Sequence, residues 1–350
     1  MRRGPWLHKG VGCINCRPGK APRPSFWSTG AVFSRRGDLV DRKKTKLVAL
    51  VGPTSTGKSG LALQLAERLG GEIISADSVQ VYRGFDIGTA KPSPDERRKV
   101  PHHLIDILAP EEDYSAASFR NQADRIIHRL QEKGKVIFVV GGTGLYLKVL
   151  SRGLFHGPGG DPHLRDSLRR KAEGEAEGYL HQELGKVDPE SASRLHPHDT
   201  FRIIRALEVY LHSGKPLSCF QNEHGFRESP YEILKIGLAA ERQELYRRIE
   251  SRVDSMMENG WLKEVQDLLN RGVSARVKPM QSLGYKRLNS FLEGEMEWAR
   301  AVSLIKQDTR RYAKRQITWF KADPDIRWFS AAGEIYPAIQ EKILDFFNHC

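Results

Sequence analysis

The 350-residue sequence lacks long apolar runs and has few cysteines. A membrane-spanning helix requires about 20 consecutive apolar residues, and no stretch approaches this length, so we expect no association with a membrane. Cys13 and Cys16 have the spacing of half a zinc ribbon, but no second pair completes it, while Cys219 and Cys350 stand alone. Sparse, scattered cysteines favour a reducing cytoplasm.

Positive charge is in excess, but most of it lies in one short segment. The formal net charge is +13, and residues 1–44 hold eleven Lys/Arg against two acids, Asp38 and Asp41, a net +9. The rest of the chain is only weakly basic, so total charge is a poor argument for nucleic-acid binding. The composition of 1–44 predicts a disordered tail; it is compatible with a transit peptide, an RNA-attracting arm or sequence upstream of the true start.

Beyond the tail, apolar runs alternate with helical patterns. Residues 46–51, 72–76 and 135–140 are short apolar runs of the kind found in buried parallel strands. Residues 59–69 and 115–133 have helical periodicity, and glycines follow both. Strand and helix in alternation predict an α/β fold, with a parallel sheet flanked by helices.

The pattern changes after residue 156. Residues 157–225 are polar and rich in Arg, Glu and His. Their periodicity is helical, most clearly at 163–184 and 200–212. These residues predict a helical insertion, after which the alternating run 231–239 returns the chain to the sheet.

The C-terminal part is mainly helical in pattern. Helices are expected at about 241–270 and 296–321, followed by a last strand at 326–330. The predicted organisation is therefore an α/β core, with C-terminal helices, formed by 45–156 and 226–335.

A glycine-rich loop follows the first predicted strand and precedes the first predicted helix. Its sequence, GPTSTGKS, matches the phosphate-binding pattern G-x-x-x-x-G-K-[ST]. Backbone N–H groups and the helix N-terminus then point at phosphate oxygens, the lysine adds a charge, and the final hydroxyl can ligate Mg²⁺. The candidate residues are Gly52, Pro53, Thr54, Ser55, Thr56, Gly57, Lys58 and, as the metal ligand, Ser59. Together with the alternating strands and helices, this loop predicts a P-loop NTPase-like parallel sheet flanked by helices. The loop does not reveal which phosphorylated ligand binds.

An NTPase normally places a Mg²⁺-binding acid at the end of a later apolar strand, and this chain does not. The strand at 135–140 ends in Gly141–Gly142–Thr143, and the acid follows the second strand, at Asp77. Ligands gather at the carboxyl ends of parallel strands, so Asp77 and Thr143 are expected beside the loop. A carboxylate there can take a proton from a nucleophile, although a helix cap and a metal-shell acid are alternatives for Asp77.

Two other functions are compatible with these features. A P-loop kinase of a small metabolite or nucleoside would transfer a γ-phosphoryl group from ATP, and the missing acid argues against it. A non-catalytic RNA-binding ATPase would leave the polar residues at the strand ends without a role. Histidines at 102, 103, 196 and 198 have no further ligands at a usable spacing, so we interpret them as structural.

One cluster of basic residues lies on a predicted helix together with aromatic residues. Cations on one helix face suit RNA phosphates, and nearby aromatic side chains can stack on unpaired bases. A helix with core aromatics and merely solvated charges would give the same pattern. The cluster consists of Arg310, Arg311, Lys314, Arg315 and Lys321, with Tyr312, Trp319 and Phe320.

A series of motifs resembles the tRNA dimethylallyltransferases, the IPP transferase family, in its bacterial form. The resemblance covers about 45–330 and is far more specific than the phosphate-binding loop alone. After GPTSTGKS, the motifs are DSVQVY (77–82), DIGTAKP (86–92), PHHLID (101–106), YSAASFR (114–120), GGTGLYL (141–147), HPHDTFRIIRALEVY (196–210), MQSLGYK (280–286) and AKRQITWF (313–320).

The resemblance implies a function. A family member transfers the dimethylallyl group of dimethylallyl diphosphate to the exocyclic amine of the adenine 3′ to the anticodon, in tRNAs that read UNN codons, and releases diphosphate. The loop would then hold the diphosphate of the prenyl donor, with Mg²⁺ as cofactor. The expected partners are tRNA and the donor, and a monomer in the cytoplasm is expected.

The resemblance also implies site residues. Asp77 would be the general base, Thr143 would lie beside the reacting centre, and Arg252 would help neutralise the diphosphate. Arg248, one helical turn before Arg252, could reach the same side. The residues implied in tRNA binding are Asp77, Ser78, Val79, Gln80, Thr143, Arg165, Phe201, Arg202, Ile203, Ile204, Arg205, Gln281, Ser282, Leu283, Gly284, Tyr285, Lys286, Lys314, Arg315, Gln316, Ile317, Thr318, Trp319, Phe320 and Lys321.

Overall fold

The computed structural model describes residues 44–348, and the strands of this part form one sheet. The strands are β1 (Thr45–Val51), β2 (Glu72–Ser75), β3 (His102–His103), β4 (Ile137–Gly141), β5 (Tyr231–Ala239) and β6 (Arg327–Ser330). The helices before residue 156 are α1 (Lys58–Arg68), α2 (Pro94–Lys99), α3 (Ala116–Glu132) and α4 (Gly144–Arg152).

Ten further α-helices and one 3-10 helix, Pro279–Gln281, follow in the described part of the chain. Five lie in the predicted insertion: α5 (Pro162–Glu173), α6 (Tyr179–Val187), α7 (Pro189–Arg194), α8 (Thr200–Ser213) and α9 (Leu217–His224). Five more lie after it in the described chain: α10 (Arg242–Glu258), α11 (Trp261–Asn270), α12 (Tyr285–Leu292), α13 (Trp298–Lys321) and α14 (Tyr336–Asn348).

All neighbouring strands of the sheet are parallel, in the order β3-β2-β4-β1-β5-β6. Val48 of β1, for example, pairs with Phe138 of β4 and with Leu234 of β5. The predicted parallel α/β sheet flanked by helices is therefore confirmed. β4 separates β1 from β2, so Thr143 follows the immediate neighbour of β1, whereas Asp77 follows the strand beyond it.

Both faces of the sheet are buried, because successive strand residues point to apolar clusters on opposite sides. Leu47, Ile74 and Val139 pack in one cluster with α3, α4 and α10 to α13. Val48 and Phe138 point to the other face and pack in a second cluster with α1 and α14. This double burial explains why the strands read as continuous apolar runs, and it fixes the carboxyl edge of the sheet as a rigid platform.

Several helices differ from the sequence expectations. The pattern at 241–270 is two helices, because the chain turns at Gly260, where φ is +91°. The pattern at 163–184 is likewise split between α5 and α6, with Gly178 at φ +81°. Helices α2, α4, α12 and α14 and the two-residue strand β3 were not predicted. A strand this short has no periodicity to detect.

The helices of the predicted insertion have an apolar cluster of their own. It contains Leu180, Leu184, Ile203, Ile204 and Leu207, all buried. Asp188 links two parts of this helical region, since its buried carboxylate accepts hydrogen bonds from Ser191 and Ser218. These contacts are of the kind that a packed insertion requires; the domain boundaries themselves stay a prediction.

The tail predicted at 1–44 lies outside the described residues except for Lys44. Cys13, Cys16 and Cys350 also lie outside them. Within 44–348, no helix combines the length and the apolar character needed to cross a membrane.

Candidate active site

The phosphate-binding loop lies at the carboxyl edge of the sheet, between β1 and α1. Gly52 has φ +134°, and a Cβ added there would lie 2.4 Å from the Leu238 carbonyl oxygen, so only glycine fits. The Thr56 hydroxyl donates to the Pro53 carbonyl at 2.9 Å and closes the loop. Ser55 has φ +63°, and its buried hydroxyl has no partner among the described residues. The loop thus holds a polar group ready for a ligand.

Lys58 is buried at the end of this loop. Its Nζ donates to the Pro53 carbonyl oxygen at 2.5 Å, and only 9% of the residue is exposed. Burial lowers the pKa of Lys58 to about 7; nearby Arg252 also lowers it, and Asp77 raises it. A cation held in this way gains its missing counter-charge when an anion binds.

Binding of inorganic diphosphate should therefore be accompanied by proton uptake at Lys58. The pKa is about 7 in the free protein, and an adjacent anion raises it, so above pH 7 more Lys58 is protonated in the complex. Calorimetry in two buffers of different ionisation enthalpy, at about pH 8, measures the uptake. Lys58→Met is the control, and equal uptake in both proteins would contradict this account.

Asp77 follows β2 and faces the same edge. Its Oδ1 accepts hydrogen bonds from the backbone N–H groups of Val79 (2.8 Å) and Gln80 (3.1 Å), which fixes the carboxylate. Its Oδ2 has no hydrogen-bond partner within 44–348. Asp77 also influences the pKa values of Lys58 and Arg252, which places it in the same electrostatic site. One oxygen is thus positioned by the backbone and the other is available to a ligand.

Arg252 and Arg248 have different environments. Arg252 lines the cavities described below, and it makes no ion pair with the described residues. Burial lowers its pKa, and Asp77 opposes this shift. Arg248 instead donates to Glu244 at 2.6 Å. Both arginines were expected to reach the same side, but only Arg252 lines these cavities and Arg248 lines neither.

Two residues of α13 complete the edge of the site. Gln316 was expected to contact tRNA, but it is buried: its Oε1 accepts from the Thr54 N–H at 2.9 Å, and its Nε2 donates to the Gly142 carbonyl at 3.0 Å. Gln316 thus ties the loop to the end of β4. Tyr312, one turn earlier, lies beside the buried Thr143 hydroxyl, which lacks a hydrogen bond of good geometry. No local sequence pattern predicts a role at this centre for either residue.

Two adjoining cavities meet at these residues. The first, of about 230 Å³, extends from the loop to Gly142 and His102. The second, of about 220 Å³, has an apolar part formed by Ile249, Val253, Met256, Trp261 and Leu283. The residues that line both cavities are Thr54, Asp77, Thr89, Arg252 and Tyr312. The site thus joins an anion-binding half to a half that can hold an apolar or aromatic group, with Asp77 at the junction.

The predicted RNA-binding segments near the core line these cavities in part. Ser78, Val79, Ser282 and Leu283 border the second cavity, and Gln80 borders the first. Tyr285 also borders the second cavity, although it is 1% exposed, and Gly284 beside it is buried. Gln281 and Lys286 are exposed. The tRNA contacts of all these residues stay predictions.

Helix α13 presents an exposed face next to the site. Lys314, Arg315, Thr318, Trp319 and Lys321 are exposed, Ile317 is half-buried and Phe320 is buried. The two arginines nearer the start of this basic cluster already form ion pairs, Arg310 with Glu250 and Arg311 with Asp308. Lys314, Arg315 and Lys321 make no ion pair in the described part of the chain, so they are the better candidates for phosphate contact.

In the insertion, the predicted RNA-binding segment has both exposed and buried positions. Phe201 is 72% exposed, and Arg202 pairs with Asp199 at 3.0 Å. Ile203 and Ile204 are buried in the apolar cluster of the insertion, so their side chains do not face a ligand. Contact with RNA from this helix would come from its exposed residues.

Arg165 and Arg205 converge on one buried carboxylate. Arg165 donates to both oxygens of Glu208 at 2.8 and 3.0 Å, and Arg205 donates to it at 2.5 Å. The Asp161 N–H donates to the same carboxylate at 2.6 Å. Burial by itself would raise the pKa of Glu208, but these donors, Arg165 first, lower it. Glu208 therefore holds the two arginines in a fixed arrangement.

Glu208→Ala should destabilise the protein by about 1–3 kcal/mol, because it leaves two partly exposed guanidinium groups and the Asp161 N–H without their buried acceptor. Urea unfolding measures the loss of stability. Glu190→Ala is the control, since Glu190 is half exposed and pairs with Arg194 at 3.5 Å; it should have little effect. Equal stability of the two variants would show that the cluster contributes nothing to the fold.

The donor groups at the edge fit Mg²⁺ bound together with a diphosphate. No group of three or more His, Cys, Asp or Glu residues in 44–348 forms a metal cage. Mg²⁺ takes few protein ligands when phosphate oxygens and water complete its octahedron. Ser59, at the start of α1, lines the first cavity and provides a hydroxyl. The residues present therefore suit a Mg²⁺ ion that binds together with the diphosphate.

Comparison with known proteins assigns this chain to a family. The sequence profile described as IPP transferase matches residues 80–323. A tRNA dimethylallyltransferase of Geobacter metallireducens is 51% identical over 310 residues, which is 89% of this chain and 100% of that protein. One of Syntrophobacter fumaroxidans is 52% identical, over 91% of each chain.

Solved structures agree. A tRNA isopentenylpyrophosphate transferase from Bacillus halodurans is 39% identical, with a TM-score of 0.64 over 87% of this chain and 96% of that one. A eukaryotic dimethylallyltransferase acting on tRNA is 29% identical, with a TM-score of 0.73 over 87% of this chain and 79% of that one. Together with the loop, the available carboxylate and the paired cavities, these matches show that the chain belongs to the tRNA dimethylallyltransferase family, the IPP transferases.

Proposed function

We propose that this enzyme transfers the dimethylallyl group of dimethylallyl diphosphate to the exocyclic amine of the adenine 3′ to the anticodon, in tRNAs reading UNN codons. We further propose that it works as a cytoplasmic monomer. The observation that carries the proposal is the position of Asp77, which borders both the anion-binding cavity and the partly apolar cavity. The family relationship supports the same reaction, since relatives are named for it.

In this reaction the amine nitrogen attacks the allylic carbon, the carbon–oxygen bond breaks, and diphosphate leaves with the electron pair. Asp77 takes a proton from the amine through its available Oδ2. Negative charge grows on the leaving oxygens, so the loop N–H groups, Lys58 and Arg252 stabilise the transition state more than the ground state. Since Lys58 is buried and Arg252 half-buried, their attraction for that charge is only weakly screened.

The acceptor base must leave its stack to reach Asp77. A stacked adenine cannot present its amine inside a closed cavity, so the base is flipped. Ser78 and Val79 border the cavity that we assign to it, together with Leu283. The exposed cations of α13 and Phe201 of α8 would contact the surrounding anticodon stem-loop.

Mg²⁺ would be held by the Ser59 hydroxyl and by the diphosphate itself. When bound, it supplies charge that offsets the growing negative charge of the leaving group. Lys58 and Arg252 provide the same kind of stabilisation from the protein side.

The assay that tests the function uses unmodified tRNA, radiolabelled dimethylallyl diphosphate and Mg²⁺, with labelled ATP in a parallel reaction. We expect label from the prenyl donor in the tRNA and no phosphoryl transfer from ATP. A kinase would give the reverse pattern, and it lacks support because β4 ends in Gly141–Gly142–Thr143 without an acid. Transfer from ATP with none from the prenyl donor would refute the proposal.

A further inference from the structure

The DIGTAKP motif at residues 86–92 forms a wall of the active site, although none of its residues has a role in the reaction described above. Gly88 and Thr89 border the cavity with the apolar part, and Thr89 and Ala90 border the anion-binding cavity. The Nε2 of Gln80 donates to the Thr89 carbonyl at 3.1 Å, which attaches the segment to the strand end that carries Asp77. A displacement of this segment would therefore change the geometry around Asp77.

One carboxylate outside the motif holds this wall. Glu264, on α11, accepts hydrogen bonds from three consecutive backbone N–H groups, those of Asp86 (2.9 Å), Ile87 (2.7 Å) and Gly88 (3.3 Å). Three donors on one carboxylate form a charge-assisted clamp that a neutral side chain cannot reproduce. Lys91 secures the other end, since its Nζ donates to the Tyr82 carbonyl at 2.9 Å.

The same carboxylate reaches a second wall of the site. The Tyr285 hydroxyl donates to the Oε1 of Glu264 at 2.6 Å, and Tyr285 lies at the end of the segment 281–286 that we expect to contact RNA. Trp261, one turn before Glu264, fills the space between the two walls. A Cβ on either Gly88 or Gly284 would lie 2.0 Å from its indole ring. The two walls are thus packed on one turn of α11.

We propose that Glu264 is a positioning residue for prenyl transfer, which fixes segment 86–90 and segment 281–286 relative to each other around the site. The inference rests on the proposed function, because it assigns Glu264 to the geometry of that reaction. Glu264 acts indirectly, by holding the two segments in place. Asp77 and the phosphate-binding loop are the groups that contact the reacting atoms. Small displacements of a reacting pair cost large factors in rate, so the clamp is expected to act on turnover.

Glu264→Gln tests this directly. Both carboxylate oxygens accept from N–H or O–H donors, so a glutamine must turn its NH₂ group toward a donor and lose that interaction. The matched control is Glu258→Gln, an exposed glutamate at the end of α10. Tyr285→Phe and the variant with both substitutions complete a double-mutant cycle.

The measurements are the rate of prenyl transfer to tRNA and the hydrogen–deuterium exchange of residues 86–90. The stoichiometry of inorganic diphosphate binding counts the folded sites. We expect Glu264→Gln to lower kcat per binding-competent site by about tenfold to a hundredfold, with faster exchange at 86–88. Because Tyr285 acts through Glu264, the double variant should be no slower than Glu264→Gln.

Several results would overturn the inference. A kcat per site equal to that of Glu258→Gln would remove the positioning role, and so would additive effects of the two substitutions. A lower melting temperature with normal turnover per folded site would make Glu264 purely structural. Wild-type protein that transfers no prenyl group would refute the proposed function instead, and the exchange rates would still show whether Glu264 holds the segment.

Discussion

Asp77→Ala should lower the single-turnover rate of prenyl transfer by about 10²–10⁴-fold, the usual contribution of a positioned general base. The amine must lose a proton as it forms the new bond, and Asp77 offers an unpaired Oδ2 at the junction of the two cavities. Binding of inorganic diphosphate should persist, because the loop and Lys58 are unchanged. Rapid quench with saturating tRNA and donor measures the step.

Asp77→Asn separates the base from a structural role. The carboxylate also caps a turn, since its Oδ1 accepts from the N–H groups of Val79 and Gln80. An asparagine oxygen can keep both bonds but cannot take the proton, so this variant should fold normally and be about as slow as alanine. Asp95→Ala, at an exposed position of α2, serves as control. Near-normal turnover by Asp77→Asn would show that another group accepts the proton.

Lys58→Ala should cost about 3–4 kcal/mol of transition-state stabilisation, a factor of roughly 10²–10³ in rate. In the proposed reaction the leaving oxygens lie against Lys58, whose burial leaves its charge only weakly screened. The rate of a single turnover at saturating donor isolates this effect from ground-state binding. Lys342→Ala is the control, since Lys342 is exposed and lies 3.8 Å from Asp345. An unchanged rate in Lys58→Ala would place the leaving group elsewhere.

The stability of the Lys58 variants should change in the opposite direction to their activity. Burial lowers the pKa of Lys58 from 10.5 to about 7, so the folded state binds this proton less tightly than the unfolded chain does. Below about pH 7 the buried charge of Lys58 lowers the free energy of unfolding by its full amount. This loss of stability disappears as the pH rises toward 10.5. Lys58→Met should therefore raise the melting temperature at neutral pH and have a smaller effect near pH 10.

The sequence predicted the parts of the site that lie next to their own strand. The loop at 52–59 and Asp77 each follow a buried parallel strand, and the carboxyl ends of such strands meet at one edge. The basic cluster on α13 was also visible, but not which of its cations were available. Only the structure shows that Glu250 and Asp308 engage two of them.

Residues that act across long sequence separations could not be predicted. Gln316 bonds to Thr54 from 262 positions away, and Glu264 bonds to Ile87 from 177 positions away. No local pattern marks a glutamine or a glutamate for such a role, because each also fits an ordinary helix surface. The family resemblance marks the DIGTAKP motif, but the role of this segment depends on its backbone hydrogen bonds to Glu264, which is distant in the sequence.

The central claim is that the bound diphosphate leaves from carbon, so the bond that breaks is carbon–oxygen. The most direct measurement uses a donor with a heavy oxygen isotope in the bridge between the allylic carbon and the first phosphorus. After transfer to tRNA, mass spectrometry should find the heavy oxygen in the released diphosphate, with the prenyl group on the adenine nitrogen. A phosphorylated RNA, or heavy oxygen retained on a prenyl alcohol, would contradict the account.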